Sequence, residues 1–151
     1  MLSPINFKKA FNRLFISTLL FAGASQVAVA SDVLKSKPAP EGASVYIVSP
    51  ADGAEVTSPV TVVFGLKGMG VAPAGVEREK TGHHHLLVDQ EDMPKLDAPM
   101  GNPPLHFGGG QTETTLELEP GEHSLQLILG NYLHVPFNPM VLSEKISITV
   151  K

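Results

Sequence analysis

The segment at residues 81–89 reads TGHHHLLVD, so three consecutive histidines run directly into three apolar residues. Histidine is the commonest metal ligand among side chains and also the side chain that titrates near neutral pH. All the histidines of the chain lie within residues 83–134, which makes this stretch the first place to look for a binding site. They are His83, His84, His85, His106, His123 and His134.

The apolar residues after the triplet predict a strand, and strand geometry divides the three histidines. Successive side chains of a strand point to opposite faces. His83 and His85 therefore share one face, whereas His84 shares the other with Leu86 and Val88. Positions two residues apart lie about 6.6 Å apart along the backbone, a spacing from which two imidazoles can converge on one ion. The sequence predicts His83 and His85 as the centre of a metal site and His84 as a packing residue.

A third ligand is expected from another strand end or loop. The candidates are His106, His123 and His134. Three imidazole nitrogens suit zinc or copper, and Cu²⁺ binds more tightly than Zn²⁺ at equal geometry. Asp89 follows on the face of the predicted pair and is a candidate to orient one ring by accepting a hydrogen bond.

A different interpretation leaves the histidines without an ion. The domain would then be a non-catalytic interaction module of the cell envelope, whose long loops at residues 67–81 and 90–110 bind a protein. Its histidines would be structural or would make that binding pH-sensitive. Geometry separates the two interpretations, because imidazole nitrogens more than about 8 Å apart cannot share one ion with bonds near 2.1 Å.

Methionines are a further candidate for copper chemistry. Thioethers can bind Cu(I), but the loop methionines do not form a tight Met-x-x-Met array, and methionine commonly fills gaps in packing. A packing role is therefore the simpler prediction for them. They are Met69, Met93, Met100 and Met140.

Motifs for catalysis are missing. The chain has no cysteine, which excludes thiol nucleophiles, thiolate metal sites and disulfides. It also has no phosphate-binding or dinucleotide-binding glycine pattern and no Gly-x-Ser-x-Gly elbow. Gly108-Gly109-Gly110 instead predicts a bend or a close approach of chain segments. A hydrolytic zinc site would need a general base that the sequence does not supply, so no catalytic residue is predicted.

Residues 1–30 have the features of a secretory signal peptide. Three cations precede an apolar run at residues 14–23, and Ala28-Val29-Ala30 offers a cleavage site. The run is shorter than the 20 or so residues of a membrane-spanning helix. We therefore expect a bacterial periplasmic or secreted protein without stable membrane insertion after cleavage. The remaining chain has a net charge of −7 with neutral histidines, which argues against nucleic acid as a partner.

The elements that must position the histidines are strands. Residues 31–43 predict a flexible lead-in, and residues 44–151 a single domain in which apolar residues recur with a period of two. Pro120-Gly121 fits the centre of a type II turn and predicts a hairpin between the strands on either side. The pattern predicts an all-β fold, an immunoglobulin-like antiparallel β-sandwich of about seven strands.

Five short motifs occur in order, at residues 49–56, 82–89, 106–112, 120–127 and 143–146. This ordered set resembles the bacterial exported family known as domain of unknown function 4399. The resemblance covers about residues 45–151 and implies an exported, single small domain in which the histidines belong to a shared pattern. It also implies a further histidine near the position of Phe137, so this chain lacks one potential ligand.

Overall fold

The computed structural model describes residues 34–151, which contain nine strands and no helix. The all-β prediction is confirmed, while the predicted signal peptide lies outside the described residues. Six strands have four or more residues; the other three have two, too short to show an alternation of their own. The strands are β1 Ser44–Ser49, β2 Glu55–Val56, β3 Val60–Lys67, β4 Gly70–Val71, β5 Thr81–Val88, β6 Leu105–His106, β7 Glu113–Leu116, β8 Gly121–Gly130 and β9 Ile146–Val150.

The strands form two sheets that share one core. The three-stranded sheet has the order β1-β3-β7, and the six-stranded sheet has the order β2-β9-β8-β5-β4, with β6 also paired to β5. Two sheets packed face to face are a sandwich architecture; its immunoglobulin-like type stays a prediction. The core between them includes Val60, Val62 and Phe64 from one sheet and Leu125, Leu127 and Leu129 from the other.

The Pro120-Gly121 turn does not close a hairpin, so that prediction is wrong. β7 pairs with β3 in the three-stranded sheet, whereas β8 pairs with β5 and β9 in the six-stranded sheet. The turn therefore carries the chain from one sheet to the other. Alternation along a strand indicates which face is buried, but it does not indicate which strand lies alongside.

Residues 36–39 of the predicted lead-in are hydrogen-bonded to the sandwich. Pro38 forms a bridge with Asn138, whose N–H donates to the carbonyl of Lys37 at 2.9 Å. The Ser36 N–H donates to the carboxylate of Asp97 at 2.6 Å. Hydrogen-bonded structure therefore extends upstream of β1. Over residues 34–151, no helix combines the length and hydropathy needed to cross a membrane.

β5, the strand that carries the histidine triplet, is covered on both faces. It pairs with β8 on one edge and with β4 and β6 on the other. Leu86 faces the main core, whereas Leu87 faces a small apolar cluster formed with Met100 and Ile128. Met140 also packs on that small cluster, so loop segments cover the face that carries His83 and His85.

Candidate metal centre

His83 and His85 form the buried floor of the site. They alternate along β5 as predicted, and their ring centroids lie 4.8 Å apart. Both side chains have no exposed surface. The loop segments over this face enclose them, so both rings are shielded from solvent.

His106 is placed by strand register. β6 pairs antiparallel with β5 so that His106 lies directly opposite His85. Residues opposite each other in an antiparallel pair point to the same face. The His106 ring accordingly lies 5.1 Å from that of His85 and 5.0 Å from that of His83, measured between centroids. His106 is exposed, so it lies at the outer end of the site.

His134 is placed by a tight turn after β8. The side-chain oxygen of Asn131 accepts hydrogen bonds from the N–H groups of Leu133 and Val135, at 2.8 and 3.1 Å. His134 has a φ of 66°, a left-handed conformation that costs a non-glycine residue roughly 1–2 kcal/mol. Its ring centroid lies 4.5 Å from that of His106. The turn therefore holds His134 over the site in a backbone conformation that needs the surrounding hydrogen bonds to persist.

Two glycines leave room for these rings. A Cβ at Gly130 would lie 2.8 Å from Cε1 of His85, and a Cβ at Gly108 would lie 2.3 Å from Cε1 of His106. Any side chain at either position would displace an imidazole. The close approach predicted for the glycine triplet is thus present at Gly108, where it accommodates a histidine of the site.

Together, His83, His85, His106 and His134 make up the histidine cluster. One ring nitrogen each of His83, His106 and His134 lies within 4.8 Å of the others. Nitrogens bound tetrahedrally to one ion with bonds of 2.0–2.1 Å lie about 3.4 Å apart. Shifts of less than about an ångström would therefore bring the three onto an ion, and they lie well inside the 8 Å or so beyond which sharing is excluded. His85 lies beside this group of three without belonging to it, with its ring centroid 4.8 Å from that of His83 and 6.0 Å from that of His134.

Burial keeps the inner rings neutral. Burial, followed by the proximity of His134 and His106, lowers the pKa of His83 to about 4. Burial, followed by the proximity of His83, lowers the pKa of His85 to about 3. The pKa of His106 is also lowered, first by burial and then by His134. At neutral pH these rings carry no charge, and an unprotonated nitrogen is the form that binds a metal ion.

The inner rings lack hydrogen-bond partners. Within residues 34–151, neither nitrogen of His83 nor of His85 meets a partner of acceptable geometry. Leaving a buried polar atom unpaired costs roughly 1–3 kcal/mol. A metal-bound histidine ordinarily donates its other N–H to a carboxylate or carbonyl, and Asp89, the predicted acceptor, does not contact these rings. A bound ion would provide a partner for one nitrogen of each inner ring.

His123 lies apart from the cluster and binds Asp89 instead. It precedes Gly130 by seven residues on β8, which is about 23 Å along the strand. Its Nδ1 lies 2.7 Å from Oδ2 of Asp89, and its Nε2 lies 2.9 Å from the carbonyl of Glu119. Both contacts raise its pKa, that with Asp89 most strongly. The structure therefore does not bring this candidate ligand to the site.

His84 faces the main core. Its ring lies 5.2 Å from that of Phe64, measured between centroids, and its Nδ1 lies 3.3 Å from the carbonyl of Gln111. That hydrogen bond requires the proton on Nδ1, since a carbonyl only accepts. His84 is fully buried, and burial lowers its pKa. Its surroundings are those of a packing histidine, on the face where the alternation places it.

Comparison with known proteins gives one family match. The model of the family described as Domain of unknown function (DUF4399) matches residues 62–151, which include all six histidines. No curated protein matches the chain. The chain is similar, at 19% identity and a TM-score of 0.42, to the X-ray structure of the endo-beta-1,4-mannanase from Thermotoga petrophila. That similarity covers 74% of this chain and 20% of the mannanase, so this chain spans about a fifth of its length.

Proposed function

The chain belongs to the DUF4399 family, whose description gives no activity, and we propose that it binds a divalent transition-metal ion, copper or zinc, in the histidine cluster. The observation that carries this proposal is the convergence of His83, His106 and His134, whose ring nitrogens lie within 4.8 Å of one another. These three residues come from a strand, a second strand and a turn. Packing of one apolar face does not require imidazoles from three separate segments to meet.

The donor set favours transition metals. Calcium and magnesium prefer oxygen ligands, whereas the cluster offers imidazole nitrogens, which suit zinc, copper, nickel and iron. The two inner rings are neutral at physiological pH because burial lowers the pKa of His83 and His85. Copper is favoured by affinity, since divalent copper binds most tightly among the first-row ions at a given nitrogen site.

The site reaches the surface at His106. His83 and His85 are fully buried, His134 is half-buried and His106 is exposed. An ion would enter past the two outer rings and be held against the two inner ones. This arrangement supports reversible binding from solution.

We also place this function outside the cytoplasm, in the periplasm or after secretion. The support is the signal-peptide pattern of residues 1–30. The absence of cysteine fits a site built from imidazole in a compartment where free thiols oxidise.

Titration of metal-stripped, tag-free protein with Cu²⁺ and with Zn²⁺ tests the proposal. We expect one ion per chain with submicromolar affinity. His106→Ala should lose at least roughly tenfold in affinity without unfolding, because its side chain is exposed. The double variant His83→Ala/His85→Ala should lose binding altogether.

His123→Ala is the matched control, since this histidine lies outside the cluster. It should bind like the wild type. Unchanged affinity in both cluster variants would refute the site. Elemental analysis of protein purified from its native compartment then identifies the ion.

A further inference from the structure

Met100 lies close to the histidine cluster at two points. A Cβ at Gly130 would lie 2.8 Å from the terminal methyl carbon of Met100 and 2.8 Å from Cε1 of His85, so both side chains approach this glycine. The Met100 N–H donates to the carbonyl of His134 at 2.9 Å. The thioether end of Met100 thus lies beside one histidine of the cluster, while its backbone is tied to another.

Met100 lies between the small apolar cluster and a cavity. It is 9% exposed and packs in the small apolar cluster with Leu87 and Ile128. It also lines a cavity of about 310 Å³, together with Met93 and Pro99. Because the side chain has three rotatable bonds, a change of rotamer would turn its sulfur toward the imidazoles without moving the backbone.

We propose that Met100 is a thioether ligand of the histidine cluster, which makes the site a copper site able to hold Cu(I) as well as Cu(II). This inference rests on the proposed metal-binding function. Soft thioether sulfur favours Cu(I), whereas zinc in proteins is bound by thiolate, imidazole and carboxylate. A site of imidazoles with one thioether therefore discriminates in favour of copper.

The test compares Met100→Leu with the wild type. Leucine keeps the size and apolar character of the side chain and removes the sulfur. Cu(I) affinity is measured anaerobically with ascorbate, in competition with a chromophoric Cu(I) chelator, and Zn²⁺ affinity is measured in parallel. We expect Met100→Leu to weaken Cu(I) binding by roughly tenfold or more and Zn²⁺ binding by less than about threefold.

Met140→Leu is the matched control, because Met140 packs against the same small apolar cluster. It should leave both affinities unchanged. Two results would overturn the inference: equal Cu(I) affinity in Met100→Leu and the wild type, or an equal loss for both metals, which would assign Met100 to packing.

The failure of this inference can be told apart from failure of the metal site itself. If the wild type bound neither ion, both proposals would be refuted. If His106→Ala lost affinity for both ions while Met100→Leu kept both affinities, only the assignment of Met100 as a ligand would be refuted. X-ray absorption at the copper edge of Cu(I)-loaded, selenomethionine-substituted wild-type protein gives a readout that does not depend on variants. A selenium neighbour of copper is expected, and its absence would refute the ligand.

Discussion

Lowering the pH from 7 to 5 should destabilise the metal-free protein by several kcal/mol. His83 and His85 have folded-state pKa values of about 4 and about 3, against 6.5 for an exposed histidine. Between these values the unfolded chain binds a proton that the folded chain does not, so the free energy of unfolding falls as the pH falls. At pH 5 the loss relative to pH 7 is about 2 kcal/mol for each ring and about 4 kcal/mol for both.

The other histidines with shifted pKa values change this loss of unfolding free energy in directions that follow from their shifts. The pKa of His84 and of His106 is also lowered, so both add to the loss. The pKa of His123 is raised, so its contribution is present at low pH and is lost as the pH rises through its folded value. A domain of this size has a total free energy of unfolding of only about 5–15 kcal/mol, so the net loss should be a large and measurable fraction of it.

Urea unfolding of metal-stripped protein at pH 7, 6 and 5 measures this effect. The double variant His83→Gln/His85→Gln should show a much shallower dependence on pH over the same range, whatever its stability at pH 7. Equal stability of the wild type at pH 7 and pH 5 would refute the neutral, buried state of the two rings. So would an unchanged pH dependence in the double variant.

Two further substitutions test how the site is built. His134→Gly should be more stable than His134→Ala by about 1 kcal/mol in urea unfolding, because only glycine adopts a φ of 66° without cost, and both should weaken metal binding equally. Equal stabilities would contradict the left-handed turn. Gly130→Ala should cost about 1–3 kcal/mol and weaken metal binding, because its Cβ would lie 2.8 Å from the His85 ring. Gly101→Ala, whose Cβ would meet no atom within 4 Å, should do neither in the same measurements.

The part of the site that follows from local geometry could be predicted from the sequence. Alternation along a strand separates His83 and His85 from His84, and the structure places the three side chains on those faces. The same alternation predicts the long strands and the all-β fold. These predictions need only the backbone periodicity of two.

The remaining ligand positions depend on long-range structure. His106 reaches the cluster through the register of β6 against β5, and His134 through the hydrogen bonds of Asn131. No spacing in the sequence encodes either. His123 was an equally good candidate by sequence, yet it opens β8 at the end away from the site. Met100 lies close to the cluster because its loop covers the face of β5 opposite the main core. Strand periodicity cannot reveal that packing arrangement.

The lack of carboxylate ligands in the histidine cluster has an electrostatic consequence. Within residues 34–151, none of its four rings has a carboxylate partner, and burial keeps His83 and His85 neutral. A bound dication therefore keeps its two positive charges, and it does so next to the exposed His106, on a protein whose net charge is negative. In physiological salt that charge is felt over about 8 Å. The loaded and the empty form therefore differ in surface potential near His106, without any change in the backbone.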